Sequence, residues 1–243
     1  MAVIHGRNPV AEALQQGAAL DKIYLLKGGK GAVLEEIKKM ARQQRVPVVE
    51  ADRRKLNQVA GNVKHQGVVA LAPPVPYVGL ENLVEKIQNS GGPAALVLLD
   101  KIQDPHNLGA IIRSAEIFGF HGLIFSLQDG VPLTDTAVKA SAGAVFHLDL
   151  CKVENTSRAV KYLADSGLWV YASSSHAEKK VSDIDFRQSF VLIIGSEGKG
   201  VRPGLLKHCD ETFAIPQLGK TESLNASVAA GVIMYEAMSQ RLA

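Results

Sequence analysis

From Ala94 to the end of the chain, short apolar runs alternate with segments of helix length. The runs are ALVLLD, GLIFS, FHLDL, LWVYASSS, FVLIIG and ETFAIP. Nearly continuous apolar strands need burial on both faces, and helical crossovers between them lay successive strands parallel. The pattern predicts an α/β fold whose C-terminal sheet is mostly parallel and covered on both sides. Ligands of such sheets sit beyond the carboxyl ends of the strands. Chemistry is therefore expected after LVLLD, VLIIG and FAIP, in KIQDPHNLGAIIRSAEIFG, SEGKGVRPG and QLGKTESLNASVAAG.

The Gly-Lys-Thr at 219–221 resembles the end of a phosphate loop, but Ala214 stands where that loop needs its first glycine, and Pro216 lies inside it. Alanine resists positive φ and proline lacks the N–H that would face phosphate, so both argue against a nucleotide hydrolase. GSEGKG has glycines at 195, 198 and 200, the wrong order for a dinucleotide fingerprint. It still follows a strand, so its glycines permit close approach of a ligand to backbone, and Glu197 projects from it. A tight turn with an exposed carboxylate would look the same. In NLGAIIRSAEIFG, Asn107 falls near a helix start and Arg113 about two turns in, with Ile111, Ile112, Ala115 and Phe118 forming the buried face. Ser223, Asn225 and Ser227 surround another helix start, where capping alone could account for the serines. Capping does not account for Ala226, Ala229, Ala230 and Gly231, whose small face suits either an interior contact or a subunit interface.

The first 73 residues form a separate α/β unit. NPVAEALQQG reads as a helix with Asn8 as N-cap, Pro9 in its first turn and Gly17 past its end. KIYLLK, VPVVEA and HQGVVALA read as strands, and Asp52 caps a helix over RRKLNQVAG. PPVPYVG opens a linker assigned to 74–92, which includes a short helix near Leu80 to Gln88; the second unit runs 93–243. Residues 1–73 carry 12 Lys/Arg against 6 Asp/Glu, whereas the remainder carries 15 against 18. A basic head on a mildly acidic body points to a polyanionic partner for the head. No apolar run reaches membrane-spanning length, and MAVIHGRNPV lacks the pattern of a secretory signal. Cys151 and Cys209 have no paired spacing, so they read as inert thiols, and the histidines lack metal-helix spacing. These features together describe a soluble cytoplasmic protein without a metal.

DPHNLGAIIRSA, IIGSEGKGV and IPQLGKTESLNASVAAG, in this order and at these strand ends, resemble the SpoU (TrmH-like) branch of the SPOUT methyltransferases. IHGRNPVAEAL and HQGVVA resemble that family's N-terminal substrate-binding domain. The resemblance covers nearly the whole chain and is closest to bacterial enzymes that methylate the 2′-oxygen of a guanosine in 23S ribosomal RNA. Methylation of transfer RNA by the same fold, and a non-catalytic RNA-binding or assembly role, are the alternatives. The resemblance implies a trefoil knot in the C-terminal sheet and S-adenosylmethionine as cofactor. It puts the adenine against backbone near Gly195, Gly198, Ile215 and Leu224, with the strand end at Ser173 nearby.

Five positions carry the family's catalytic pattern: Asn107, Arg113, Glu197, Ser223 and Asn225. Arg113 is expected to use its guanidinium fork on an RNA phosphate and on the developing alkoxide, since arginine stays protonated and makes a poor base. Glu197 is expected to orient Arg113 or to pin the loop; Asn107, Ser223 and Asn225 would hold loop geometry or the ribose. Arg7, Arg53, Arg54, Lys55 and Lys64 are the expected RNA backbone contacts. The family also implies a homodimer packed through the knot and the C-terminal helix.

Overall fold

The computed structural model describes residues 2–18, 20, 22–44, 46–61, 63–72, 75, 77–126, 130–131, 133–221 and 223–243. The head comprises β1 (Ala2–His5), α1 (Arg7–Gln15), β2 (Lys22–Leu26), α2 (Ala32–Gln43), β3 (Val48–Ala51), α3 (Arg53–Ala60) and β4 (Val68–Ala72). Its sheet has the order β1-β4-β2-β3 and is mixed: β4 runs antiparallel to β1 and β2, while β2 and β3 are parallel. Leu34, Ile37 and Ala41 share one stripe of α2 and pack with Val10 and Leu14 of α1 against Ile23, Leu25 and Val68. Leu56 and Ala60 of α3 cover the other face over Val69. Asp52 caps α3 by accepting from the Lys55 amide at 2.7 Å. Asn8 is not a cap: α1 starts at Arg7, behind Gly6, which has no side chain to cap with, and the Arg7 amide instead donates to Gln66 Oε1 at 3.4 Å.

The body continues with β5 (Tyr77–Val78), α4 (Leu80–Gln88), β6 (Ala95–Asp100), α5 (Pro105–Ile117), β7 (Gly122–Ser126) and α6 (Asp135–Ala140). Then follow β8 (Asp149–Val153), α7 (Thr156–Asp165), β9 (Trp169–Ser173), β10 (Lys179–Lys180), β11 (Phe190–Gly195), α8 (Pro203–Leu206), β12 (Glu211–Ala214) and α9 (Ala226–Leu242). The sheet order is β10-β12-β9-β11-β6-β7-β8-β5, with every described pairing parallel. Every residue of β6 and β11 is buried, as their unbroken apolar runs require. α5, α6 and α9 cover one face and α4, α7 and α8 the other, which makes two cores on opposite sides of the sheet.

Two further expectations change. The strand read in FHLDL begins only at Asp149, because Ala144–Phe146 forms a 3-10 turn whose Phe146 ring packs against both the head core and the body core. The segment assigned as a linker is built into the body over much of its length. Tyr77 and Val78 pair with Leu150 and Cys151 as an edge strand, and α4 buries Leu83, Val84 and Ile87. Prolines 73, 74 and 76 lie outside the described residues. No described helix is long and apolar enough to cross a membrane.

Candidate active site

Four adjacent strands, β12, β9, β11 and β6, end at one edge of the body sheet, with Gly195 level with Asp100 and Phe213 level with Ser173. The three segments singled out in the sequence leave from this edge. After β6, the Asp104 carboxylate accepts from the His106 amide at 2.8 Å and Pro105 occupies the first turn, which starts α5 and buries Asn107. After β11, the chain folds back so tightly that a Cβ on Gly195 would overlap the Gly200 carbonyl carbon and the Val201 nitrogen. No other residue fits there. Gly200 N donates to Ser196 O at 2.9 Å, closing a loop that carries exposed Glu197 at its tip, beside Gly198 with φ 74°.

After β12, residues 216–221, 223 and 224 are exposed, and Asn225 caps α9. Its Oδ1 accepts from Ser227 N at 2.9 Å, Val228 N at 3.3 Å and Ser227 Oγ at 2.6 Å. That leaves the Asn225 amide nitrogen free to face the other two segments. It donates to Glu197 Oε1 at 2.6 Å and to Asn107 Oδ1 at 3.0 Å, while Asn107 Nδ2 donates to the same Glu197 oxygen at 2.9 Å. Ala226 N adds a longer bond of 3.4 Å to it. Asn107, Glu197 and Asn225 thus form a closed triangle that ties three distant segments together. Glu197 Oε2 has no hydrogen-bond partner among the described residues.

A second fastening lies beneath, and the sequence reading missed it. Asp100, fully buried, accepts from Arg202 N at 2.9 Å and from Arg202 Nε at 2.7 Å, and Arg202 Nη2 reaches both Asp100 Oδ1 and Thr156 Oγ1 at 2.7 Å. The signal was a carboxylate ending an otherwise apolar strand, which cannot stay buried without a partner. Burial pushes the Cys151 and Cys209 thiols up to about 12, with Glu81 and Asp210 respectively adding to the effect, which disfavours the reactive thiolate.

Other expected positions fall differently. Arg113 is exposed, has no hydrogen bond or ion pair with a described residue, and sits roughly 120° around α5 from Asn107. Glu197 therefore does not orient Arg113 within one chain; it pins the loop. Ser223 is exposed and outside the triangle. Ser173 ends β9, Ile215 packs partly buried just past β12, and Leu224 is partly exposed beside Asn225.

The edge fits a cofactor held by backbone. Among the described residues from Gln217 to Leu224, no amide N–H bonds another backbone carbonyl, and Leu218 and Leu224 present apolar surface there. Arg7, Arg53, Arg54, Lys55 and Lys64 gather at one end of the head sheet. Leu26 pairs with Ala51, and His5 with Val69, so the loops after β1, β2 and β3 and the one before β4 share that end.

Residues 94–235 match the SpoU rRNA Methylase family, and residues 3–78 match the RNA 2′-O ribose methyltransferase substrate-binding domain. The chain is 36% identical over 239 residues to a TrmH family tRNA/rRNA methyltransferase of Staphylococcus aureus, covering 98% of this chain and 96% of that one. It is 37% identical over 240 residues to an uncharacterized tRNA/rRNA methyltransferase of Synechocystis, where it covers 98% of this chain and spans 62% of the relative's length. The fold superposes on the SpoU methyltransferase AviRb from Streptomyces viridochromogenes, solved in complex with AdoMet, with a TM-score of 0.78 at 26% identity, covering 99% of this chain and 90% of that one. The chain belongs to the SpoU family of S-adenosylmethionine-dependent RNA 2′-O-ribose methyltransferases.

Proposed function

We propose that this protein methylates the 2′-oxygen of a guanosine in 23S ribosomal RNA, working as a homodimer. The observation that carries the reading is the Asn107–Glu197–Asn225 triangle, which fixes the loops at the crevice edge before any ligand arrives. Preorganisation of this kind is what an in-line displacement needs, since oxygen, carbon and sulfur must be aligned to well under an ångström. The family description naming ribosomal RNA favours that class over transfer RNA, and the basic head suits either polyanion.

S-adenosylmethionine supplies an electrophilic methyl group on a sulfonium. Backbone at Ser173, Gly195, Gly198, Ile215 and Leu224 would hold its adenosine part, and the free Oε2 of Glu197 can accept from a donor in the crevice. Arg113 supplies the fixed positive charge that steadies the alkoxide forming on the ribose. It would do so across the dimer. α5 packs on α9, where Gly231 brings Ser114 Oγ within 3.6 Å of a Cβ position, and the outer side of this pair exposes Ile117, Val228, Val232 and Tyr235. A second copy covering that apolar face would bring each Arg113 to the other subunit's crevice. The trefoil crossing of the loops belongs to the same proposal.

The test is incubation of purified protein with methyl-labelled cofactor and separated RNA classes, followed by mapping of the modified nucleotide. Label on the ribose oxygen of one guanosine in 23S RNA is expected; label confined to transfer RNA or to a base would overturn the assignment.

A further inference from the structure

Among the described residues, three that are not glycine have left-handed backbone: Gln66 with φ 52°, Lys101 with φ 61° and Ala142 with φ 50°. Two have local reasons. Ala142 follows the last turn of α6, where its amide bonds Lys139 O at 3.0 Å, an ordinary way to end a helix. Gln66 accepts from Arg7 Nε on its carbonyl at 3.2 Å and from Arg7 N on its side chain at 3.4 Å. Lys101 has neither: no described turn hydrogen bond spans it, and its half-buried side chain has no polar partner among the described residues. A strained backbone without local compensation persists where its surroundings hold it, and such residues gather at functional sites.

The position of Lys101 supplies the reason. It directly follows Asp100, which is level with Gly195 and clamped by Arg202, so it stands between the Glu197 loop and the capped start of α5. Arg202 neutralises Asp100. Glu197, by contrast, is held only by neutral amide donors, so the crevice presents negative charge to a polyanionic substrate. Lys199 and Lys220 flank it on exposed loops; Lys101 stands at the end of a buried strand, where a contact is fixed more closely. We propose that Lys101 binds the RNA phosphate next to the acceptor ribose, a role that rests on the reading of this crevice as the methyl-transfer site.

The experiment compares Lys101→Gly, which accepts the backbone angle and removes the charge, with Lys101→Arg, which keeps both strain and charge. Full-length proteins are assayed for thermal midpoint, S-adenosylmethionine affinity by calorimetry, methyl transfer to RNA, and binding of a labelled single-stranded RNA over a range of potassium chloride. Lys101→Gly is expected to melt at or above the wild-type temperature and to bind cofactor normally. Its RNA affinity should fall about tenfold, with a salt slope shallower by roughly 0.7, the signature of one lost phosphate contact on a single strand. Lys101→Arg should restore both. Wild-type RNA affinity and KM in Lys101→Gly, or an equal loss at every salt concentration, would overturn the role of Lys101. Failure of the wild-type protein to methylate any RNA would instead overturn the reading of the crevice.

Discussion

Asp100 and Arg202 are 102 residues apart, and their pairing shows what one side chain can decide in this site. Asp100 is fully buried and takes its hydrogen bonds from the backbone and guanidinium of Arg202, so the loop carrying Glu197 is clamped at its far end. Removing one member of such a pair leaves the other charge uncompensated, at a cost of about 3 kcal/mol. Asp100→Asn should therefore lower thermal stability markedly and weaken cofactor binding, as calorimetry would register; an unchanged melting temperature would mean that the clamp contributes nothing. Arg113 gives the opposite expectation. With no polar partner among the described residues, Arg113→Lys should leave melting and cofactor affinity unchanged while kcat falls by about a hundredfold through loss of the planar fork. Near-normal turnover in that variant would remove Arg113 from the chemistry. Asn107, Glu197 and Asn225 could be singled out because each lies in a segment that follows a strand and resembles a family motif; that their side chains bond one another could not be read from the sequence. The Asp100–Arg202 pair was not, because nothing local in LLDKIQ or GVRPG indicates that the two meet.

At the scale of elements, α5 is the one that most depends on its neighbour. A Cβ on Gly109 would lie 2.5 Å from Ala140 Cβ and overlap the Ala137 carbonyl oxygen, so α5 and α6 touch backbone to backbone. Gly109→Ala forces them apart at a cost of about 1–3 kcal/mol and displaces Asn107, two residues upstream. Reduced melting temperature together with reduced kcat is expected, and full activity at lower stability would show that the triangle does not depend on this packing. In the head, His65 joins α3 to the start of β4. Its Nδ1 accepts from Gly67 N at 3.0 Å, which makes Nε2 the donor to Asn57 Oδ1 at 2.9 Å. Burial, and then the nearby Arg53 charge, hold the His65 pKa below its usual value, so protonation is resisted in the folded state. Below about pH 6.5 the unfolded chain binds more protons than the folded one, and stability falls as pH drops. Thermal melts between pH 7.5 and 5.5 should show this loss, and His65→Gln should reduce it, leaving the share of His121, whose pKa burial also lowers. Local signals served α3 and α4 well, through Asp52 and through the apolar spacing of Leu83, Val84 and Ile87. They failed for β8, because Phe146 completes a strand-like pattern yet is used to join head and body. The four residues of β1 and the two of β10 were too short for any periodic signal, and only their neighbours in the sheet make them strands.

Among the described residues, α9 and α5 present an apolar surface that the chain does not cover. α9 is anchored at its start by Asn225 and near its end by Arg241, whose guanidinium donates to the carbonyls of Phe186, Pro93, Ala94 and Gln188 at 2.8–2.9 Å. Between these anchors Val228, Val232 and Tyr235 recur on one stripe beside Ile117 of α5, all exposed, and Phe118 supports the Tyr235 ring at 6.0 Å. A rigid apolar stripe costs little ordering on association, which favours a stable two-fold contact. Val232→Glu would place a charge in the middle of that contact. It should yield a monomer by sedimentation, with turnover down at least about a hundredfold and the melting of each subunit little changed. A sharper experiment separates a dimer needed for stability from one that shares its sites. Arg113→Ala and Asn225→Ala are each expected to be inactive alone. Co-expressed, random pairing makes about half the dimers mixed, and if Arg113 serves the other subunit, each mixed dimer has one intact site and one doubly defective site. Activity should then return to about a quarter of the wild-type value. If Arg113 serves its own subunit, every site in every pairing lacks one residue, and co-expression restores nothing.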